Sequence, residues 1–192
     1  MSGPNPHRLF LASVVALVST GVAFSIRGDI LDALTGDLHL TRQQAGILLG
    51  PAFWGNTLSM TLGGALVDYL GMRRLLYLAF MGYVYAVAAI LFAPLPHAAA
   101  SPFYSDPGFM VVFSGMLALG ICQGLVEGVI NPLCTALYPK DKTRRLNILH
   151  AWWPGGLILG GIAGYAITRA MGLDTAGLAS GAATLGWRIK LV

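Results

Sequence analysis

The chain has 192 residues, of which 56% are hydrophobic and only 10% are Asp, Glu, Lys or Arg, with a formal net charge of +4. A soluble domain carries about 25% charged residues, so a water-facing globule of this length is excluded for want of a polar coat, whereas lipid requires none. The mean hydropathy of +0.69 agrees, and the chain reads as an all-α, polytopic helical membrane protein.

A membrane-crossing helix needs ~20 mostly apolar residues. The first such run is Leu9–Ile26. Arg8 precedes it and Ala23-Phe24-Ser25 imitates a secretory cleavage site, but the run is long for a signal core and four more follow. Arg27 closes it, with two readings: a pair with Asp29 or Asp32 at the interface, or a lining of an external vestibule that attracts an anionic solute. The second run, Gln44–Val67, opens on Thr41 with Gln44 three residues later, the pattern of a capping box. It leads into GGALVDYLGMRR, residues 63–74, where Asp68, Arg73 and Arg74 gather between two apolar runs. The third run is Leu75–Leu95, and the connection after it, Pro94–Gly108, is rich in Pro, Ala and Ser and holds no Lys or Arg. The fourth is Phe109–Leu137 and the fifth Asn147–Thr168. A sixth opens near Trp187, so the expected architecture is a half-bundle of five complete spans plus the start of another. Barrel strands would alternate with period two; these runs are continuous.

Basic residues prefer cytoplasmic loops. Arg8, Arg73, Arg74, Lys140, Lys142, Arg144 and Arg145 fall on one side of this arrangement, against Arg27, Arg42, Arg169, Arg188 and Lys190 on the other. The N-terminus is therefore expected in the cytoplasm and the chain in the cytoplasmic membrane. The basic balance reflects topology rather than a nucleic-acid partner.

Small residues at four-residue spacing let helices approach closely in lipid. Gly46/Gly50, Gly120/Gly124/Gly128 and Gly156/Gly160/Gly164 show it. Cys122 and Cys134 are ~18 Å apart along one helix, beyond disulfide reach. No metal-ligand spacing, cofactor motif or enzyme motif occurs.

The chemistry-bearing run is GICQGLVEGVINP. Gln123, Glu127 and Asn131 recur every four residues and form one stripe drifting ~40° per step, beside the glycine row. Glu127 is the one acid deep in a run, and a charge at mid-bilayer costs at least ~2.5–3.5 kcal/mol. It either faces a watery cavity and handles protons, or hydrogen-bonds two helices together. His150 beside Trp152 and Trp153 is a lesser candidate for proton relay, and Pro154 suits a helix's first turn. Asn131-Pro132-Leu133 invites comparison with water channels, but it is a single copy inside a long apolar run.

The stretch Gly64-Ala65-Leu66-Val67-Asp68-Tyr69-Leu70-Gly71-Met72-Arg73 resembles the loop signature of the major facilitator superfamily, G-x-L-x-D-x-x-G-x-[RK]. Tyr69 and Met72 replace residues that are often basic. The resemblance extends over the whole chain and implies two six-helix halves around a central solute cavity, with alternating access by rocking one half on the other. It implies that the fourth helix lines that cavity together with the first, which raises Glu127, Gln123, Asn131 and Arg27 as solute- and proton-handling residues. It further implies that Gly64, Asp68, Gly71 and Arg73 form a conformational gate, Asp68 meeting a helix N-terminus of the opposite half. The glycine-proline order of drug antiporters is not matched by Trp153-Pro154-Gly155-Gly156.

The expectation is thus a secondary transporter for a small polar metabolite, such as a sugar or organic acid, proton-coupled and without cofactor. Its partners are the solute, protons, the bilayer and a C-terminal half beyond Val192. Rival readings are an antiporter of the same superfamily, a channel, or a membrane module that only packs.

Overall fold

The computed structural model describes residues 5–29, 35, 40–94 and 103–170. These form five long helices: α1 (Pro6–Asp29), α2 (Arg42–Leu70), α3 (Met72–Phe92), α4 (Pro107–Leu137) and α5 (Lys142–Ala170). A short 3-10 turn, Phe103–Ser105, precedes α4. No strand occurs among the described residues. The stretch around Trp187 expected to open a sixth span lies outside them.

Local chemistry sets most helix ends. Thr41 caps α2: its hydroxyl accepts from Gln44 N, and the Gln44 side chain accepts from Thr41 N at 2.8 Å, a closed capping box. Asp106 caps α4 by accepting from Phe109 N at 2.9 Å, with Pro107 at the first position, where a missing N–H costs nothing. α3 stops at Phe92, earlier than the hydropathy of Leu91–Leu95 suggests. A residue before proline is pushed out of the helical region, and Ala93, which precedes Pro94, is extended at φ −56°, ψ 139°.

Other ends run past the apolar stretches. A helix continues through polar flanks until its backbone groups find caps, so α5 begins at Lys142 rather than Asn147. Lys142, Arg144 and Arg145 therefore lie in its first turn, and Pro154 sits in mid-helix rather than at the start. Pro51 and Pro132 are likewise internal, to α2 and α4.

α4 is the centre of the assembly. It packs extensively on α2 and α3 and touches α1 and α5, which pair mainly with each other. It contributes to every core cluster: Phe109, Val112 and Met116 with Ile26, Leu48, Ala52 and Ile90; Ile130 and Cys134 with Phe10, Leu17 and Leu149; and Cys122, Leu125 and Val129 with Leu75 and Ala79. The outer faces carry large apolar side chains such as Phe80, Leu58 and Ile158, which suits hydrocarbon as solvent.

The glycine rows explain how the helices come so close. A Cβ on Gly120, Gly124 or Gly128 would overlap Ala52, Asn56/Ser59 and Gly63 of α2 respectively. On α5, Gly156 and Gly160 meet Val18/Gly21 and Val22/Ser25 of α1. Gly46 and Gly50 differ from expectation. No other helix lies within contact of them among the described residues, so their spacing marks no interface there.

Among the described residues three helices are long and apolar enough to cross a membrane: Pro6–Gly28, Met72–Phe92 and Pro107–Leu137. α2 and α5, at 29 residues each, span ~43 Å at ~1.5 Å per residue, ample for a ~30 Å hydrocarbon core. Their inner faces are built from the small residues of close packing, Gly55, Ser59 and Gly63 on α2 and Gly156, Gly160 and Gly164 on α5.

Candidate functional site

The polar stripe of α4 turns inward. Gln123 is 1% exposed and Glu127 8% exposed, although neither is apolar. Because α4 is surrounded by helices on most sides, a polar side chain on its inner face must find its partners inside the protein.

Gln123 finds one on α1. Arg27 lies in the last turn of that helix, and helical side chains lean back toward the N-terminus. That lean carries its guanidinium into the bundle, where Nη2 donates to Gln123 Oε1 at 2.6 Å. Arg27 is only 1% exposed. Its guanidinium carbon sits 4.8 Å from the Phe24 ring centre and 5.7 Å from that of Phe53. The two rings meet edge-on at 5.2 Å, and Phe24 also meets Trp153 edge-on at 5.7 Å. Tyr83 of α3 stands near enough to interact electrostatically with Arg27. The Arg27 Nε and Nη1 atoms are buried with no hydrogen-bond partner among the described residues. The interfacial pair with Asp29 or Asp32 cannot be placed: the Asp29 side chain and Asp32 lie outside the described residues.

Glu127 lies one turn further along α4. Its Oε1 accepts from Asn56 Nδ2 of α2 at 3.4 Å, a long hydrogen bond. The approach depends on the glycine row, since Gly124 is packed on the Asn56 and Ser59 turn of α2. Asn131, the next residue of the stripe, is half-buried, and its Oδ1 has no hydrogen-bond partner among the described residues. One inner face therefore carries a cation held by an amide, a carboxyl held by an amide, and an amide oxygen left open.

The signature stretch is structurally separate. α2 ends at Leu70 and α3 begins at Met72, so the connection is Gly71 alone, with φ 77° and ψ 150°. That region is open to glycine and strained for other residues. Leu66, Val67 and Met72 seat the turn on Leu125 and Val129 of α4. Asp68 is exposed and makes no hydrogen bond or ion pair among the described residues. Arg73 is also exposed and lies 5.6 Å from the Tyr77 ring centre. Gly64 has open space where a Cβ would stand; Gly63 makes the close contact, against Gly128.

Sequence reasoning passed over Asn56, Phe24 and Phe53. A lone Asn in the middle of an apolar run is a signal for Asn56, by the same argument that selects Glu127. The two phenylalanines carry no such signal, because aromatics are ordinary in lipid-facing helices and only the fold sets them on a cation.

Comparisons with known proteins bear on the family of the chain. The family model for the Major Facilitator Superfamily matches residues 9–192. An uncharacterized transporter, y4wD, of Sinorhizobium fredii (strain NBRC 101917 / NGR234) is 24% identical over 148 residues, covering 77% of this chain and 36% of that protein. The matched region is thus about a third of that relative's length. No solved structure matches.

Proposed function

The chain belongs to the major facilitator superfamily, and from that premise we propose that it forms part of a secondary transporter carrying a small polar metabolite, a sugar or an organic acid, by alternating access and in symport with protons. Transport across a membrane, rather than enzymatic chemistry, is the family's activity. In this reading all five helices cross the cytoplasmic membrane with the N-terminus inside, and a second half of the same transporter packs against this bundle.

The observation that carries the coupling is Glu127: a carboxyl buried at the centre of the bundle whose Oε1 is held by one amide. Asn56 fixes the carboxyl plane and leaves Oε2 for the proton. Glu127 takes that proton from one side, solute binds along Gln123 and Asn131, and the neutral site tolerates the transition in which water is excluded. Access to the other side releases both. Glu127 is the one acid on the inner face of α4, so losing its proton re-creates a buried charge, which is costly; the empty carrier returns to its starting side with Glu127 deprotonated and held by Asn56, so that each cycle moves one proton with the solute.

Asp68, Gly71 and Arg73 act at the α2–α3 turn as the gate. A carboxylate opposite a helix N-terminus gains ~0.3–1 kcal/mol, and Asp68 is exposed and free to make that contact with the facing half. The test of coupling is Glu127→Gln in the protein as its gene encodes it, reconstituted in liposomes. Accumulation driven by a pH gradient is expected to vanish while solute exchange at equal pH persists. Undiminished pH-driven accumulation in the variant would refute the coupling role.

A further inference from the structure

The Arg27 site asks a question that proton coupling does not answer. A buried cation costs several kcal/mol unless it is paired, yet no described carboxylate lies within ion-pair distance of it. Glu127, the nearest acid along the stripe, is engaged by Asn56. What Arg27 does have is partial compensation: the Gln123 amide dipole, the faces of two aromatic rings, and the negative end of α1, where a cation is favoured. None carries a formal negative charge. The Nε and Nη1 hydrogens have no acceptor among the described residues.

We propose that Arg27 is the recognition cation for a solute bearing an oxyanion, a carboxylate or a phosphate, and that Phe24 and Phe53 form an aromatic lid over it when the site is empty. This rests on reading the polar face shared by α1 and α4 as a transport site and narrows the solute from polar metabolites in general to anionic ones. A guanidinium presents a rigid planar fork that matches carboxylate and phosphate oxygens. Gln123 fixes the plane of that fork through Nη2, and so acts as a positioning residue. An arriving oxyanion replaces ring faces with true counter-charge at Nε or Nη1. A neutral sugar of the same size leaves the cation unpaired, and that difference selects between the two classes.

The lid is built to move. Phe53 is 42% exposed and belongs to none of the buried core clusters, so its ring can swing without unpacking α2. Phe24 lies between Phe53 and Trp153 in edge contact with both, so displacing Phe53 changes the surroundings of an indole. The site therefore carries its own reporter.

The test titrates the purified protein, as its gene encodes it, with lactate, succinate, inorganic phosphate, glycerol 3-phosphate and glucose while following tryptophan fluorescence. At least one carboxylate or phosphate probe is expected to give a saturable change and glucose none; which arm responds identifies the oxyanion. Arg27→Gln should abolish the response, Arg27→Lys should weaken it at least tenfold by removing the fork while keeping the charge, and Phe53→Ala should speed its onset. Responses unchanged in Arg27→Gln, a response to glucose alone, or no response to any probe overturns the proposal. If Arg27→Gln does not fold, equal affinity of Arg27→Lys and wild type overturns it. Parallel uptake in liposomes separates the two readings. Arg27-dependent binding without accumulation supports the anion site and refutes the transporter, whereas glucose accumulation that survives Arg27→Gln supports the transporter and refutes the anion site.

Discussion

Replacing Gly124 with alanine adds one methyl group where α4 is pressed on α2. A Cβ there stands 2.8 Å from Met60 N and nearer still to Asn56 O and Ser59 Oγ, against a comfortable separation of about 3.5–4.0 Å. Two of these three atoms are backbone, so no rotamer change removes the overlap and the helices must part by about 1 Å. Overpacking of this kind costs ~1–3 kcal/mol, partly offset by the ~1 kcal/mol advantage of alanine over glycine within a helix. A net loss of up to ~2 kcal/mol lowers the melting temperature by as much as roughly 8 °C for a chain of this size, and open-space Gly→Ala controls, which keep the alanine gain alone, should lie ~1–3 kcal/mol above it. The same movement carries Asn56 Nδ2, now 3.4 Å from Glu127 Oε1, out of hydrogen-bond range, so proton-driven uptake should fall with stability. Thermal unfolding read by a thiol-reactive dye suits the assay, because Cys122 and Cys134 are both buried and react only on unfolding. Gly46→Ala and Gly64→Ala, which place their methyl groups in open space, should match or slightly exceed wild type. A Gly124→Ala protein as stable as those controls would refute the packing account of the glycine row.

Gly71→Ala should destabilise by about 1–3 kcal/mol despite the open space around it, because φ 77°, ψ 150° is a glycine conformation; the same melting assay reads it. Thr41→Ala removes the hydroxyl of the capping box and should cost ~1 kcal/mol, seen as faster amide exchange confined to the first turn of α2. Asn56→Leu deletes the one described donor to Glu127 and should lower proton-driven accumulation by the few-fold that a ~0.5–1.5 kcal/mol hydrogen bond implies. Solute flux down its own gradient should persist in that variant, and unchanged accumulation would remove Asn56 from the coupling site.

Much of the fold is legible in the residues because lipid simplifies the code. Where a chain has no water to satisfy its backbone, apolar length reads directly as helix; four of the five runs lie wholly within a helix, and the third, Leu75–Leu95, outruns α3, which ends at Phe92. Helix ends were less legible: hydropathy marks where a helix meets lipid, while the backbone continues until a cap such as Thr41 or Asp106, or a proline such as Pro94, ends it. Glycine spacing was legible only in part. Gly120, Gly124 and Gly128 pack on α2, but Gly46 and Gly50 show the same spacing with no other helix against them among the described residues, because a small residue permits an approach without compelling one.

The sequence by itself determined the solvent, the helical class, the Glu127 stripe and the turn at Gly71, each of which follows from composition or from residues close together in the chain. Tertiary structure decided the partners. Arg27 and Gln123 are 96 residues apart, and Asn56 and Glu127 are 71 apart. No periodicity links them, since a hydrogen bond between helices depends on how the glycine rows let α4 settle among its neighbours. That settling turned an arginine at a helix end into a cation buried between two aromatic rings. The physical reason is reach: backbone and solvent preferences act over one turn of helix, whereas a charge is neutralised by whatever the fold brings within about 3 Å of it.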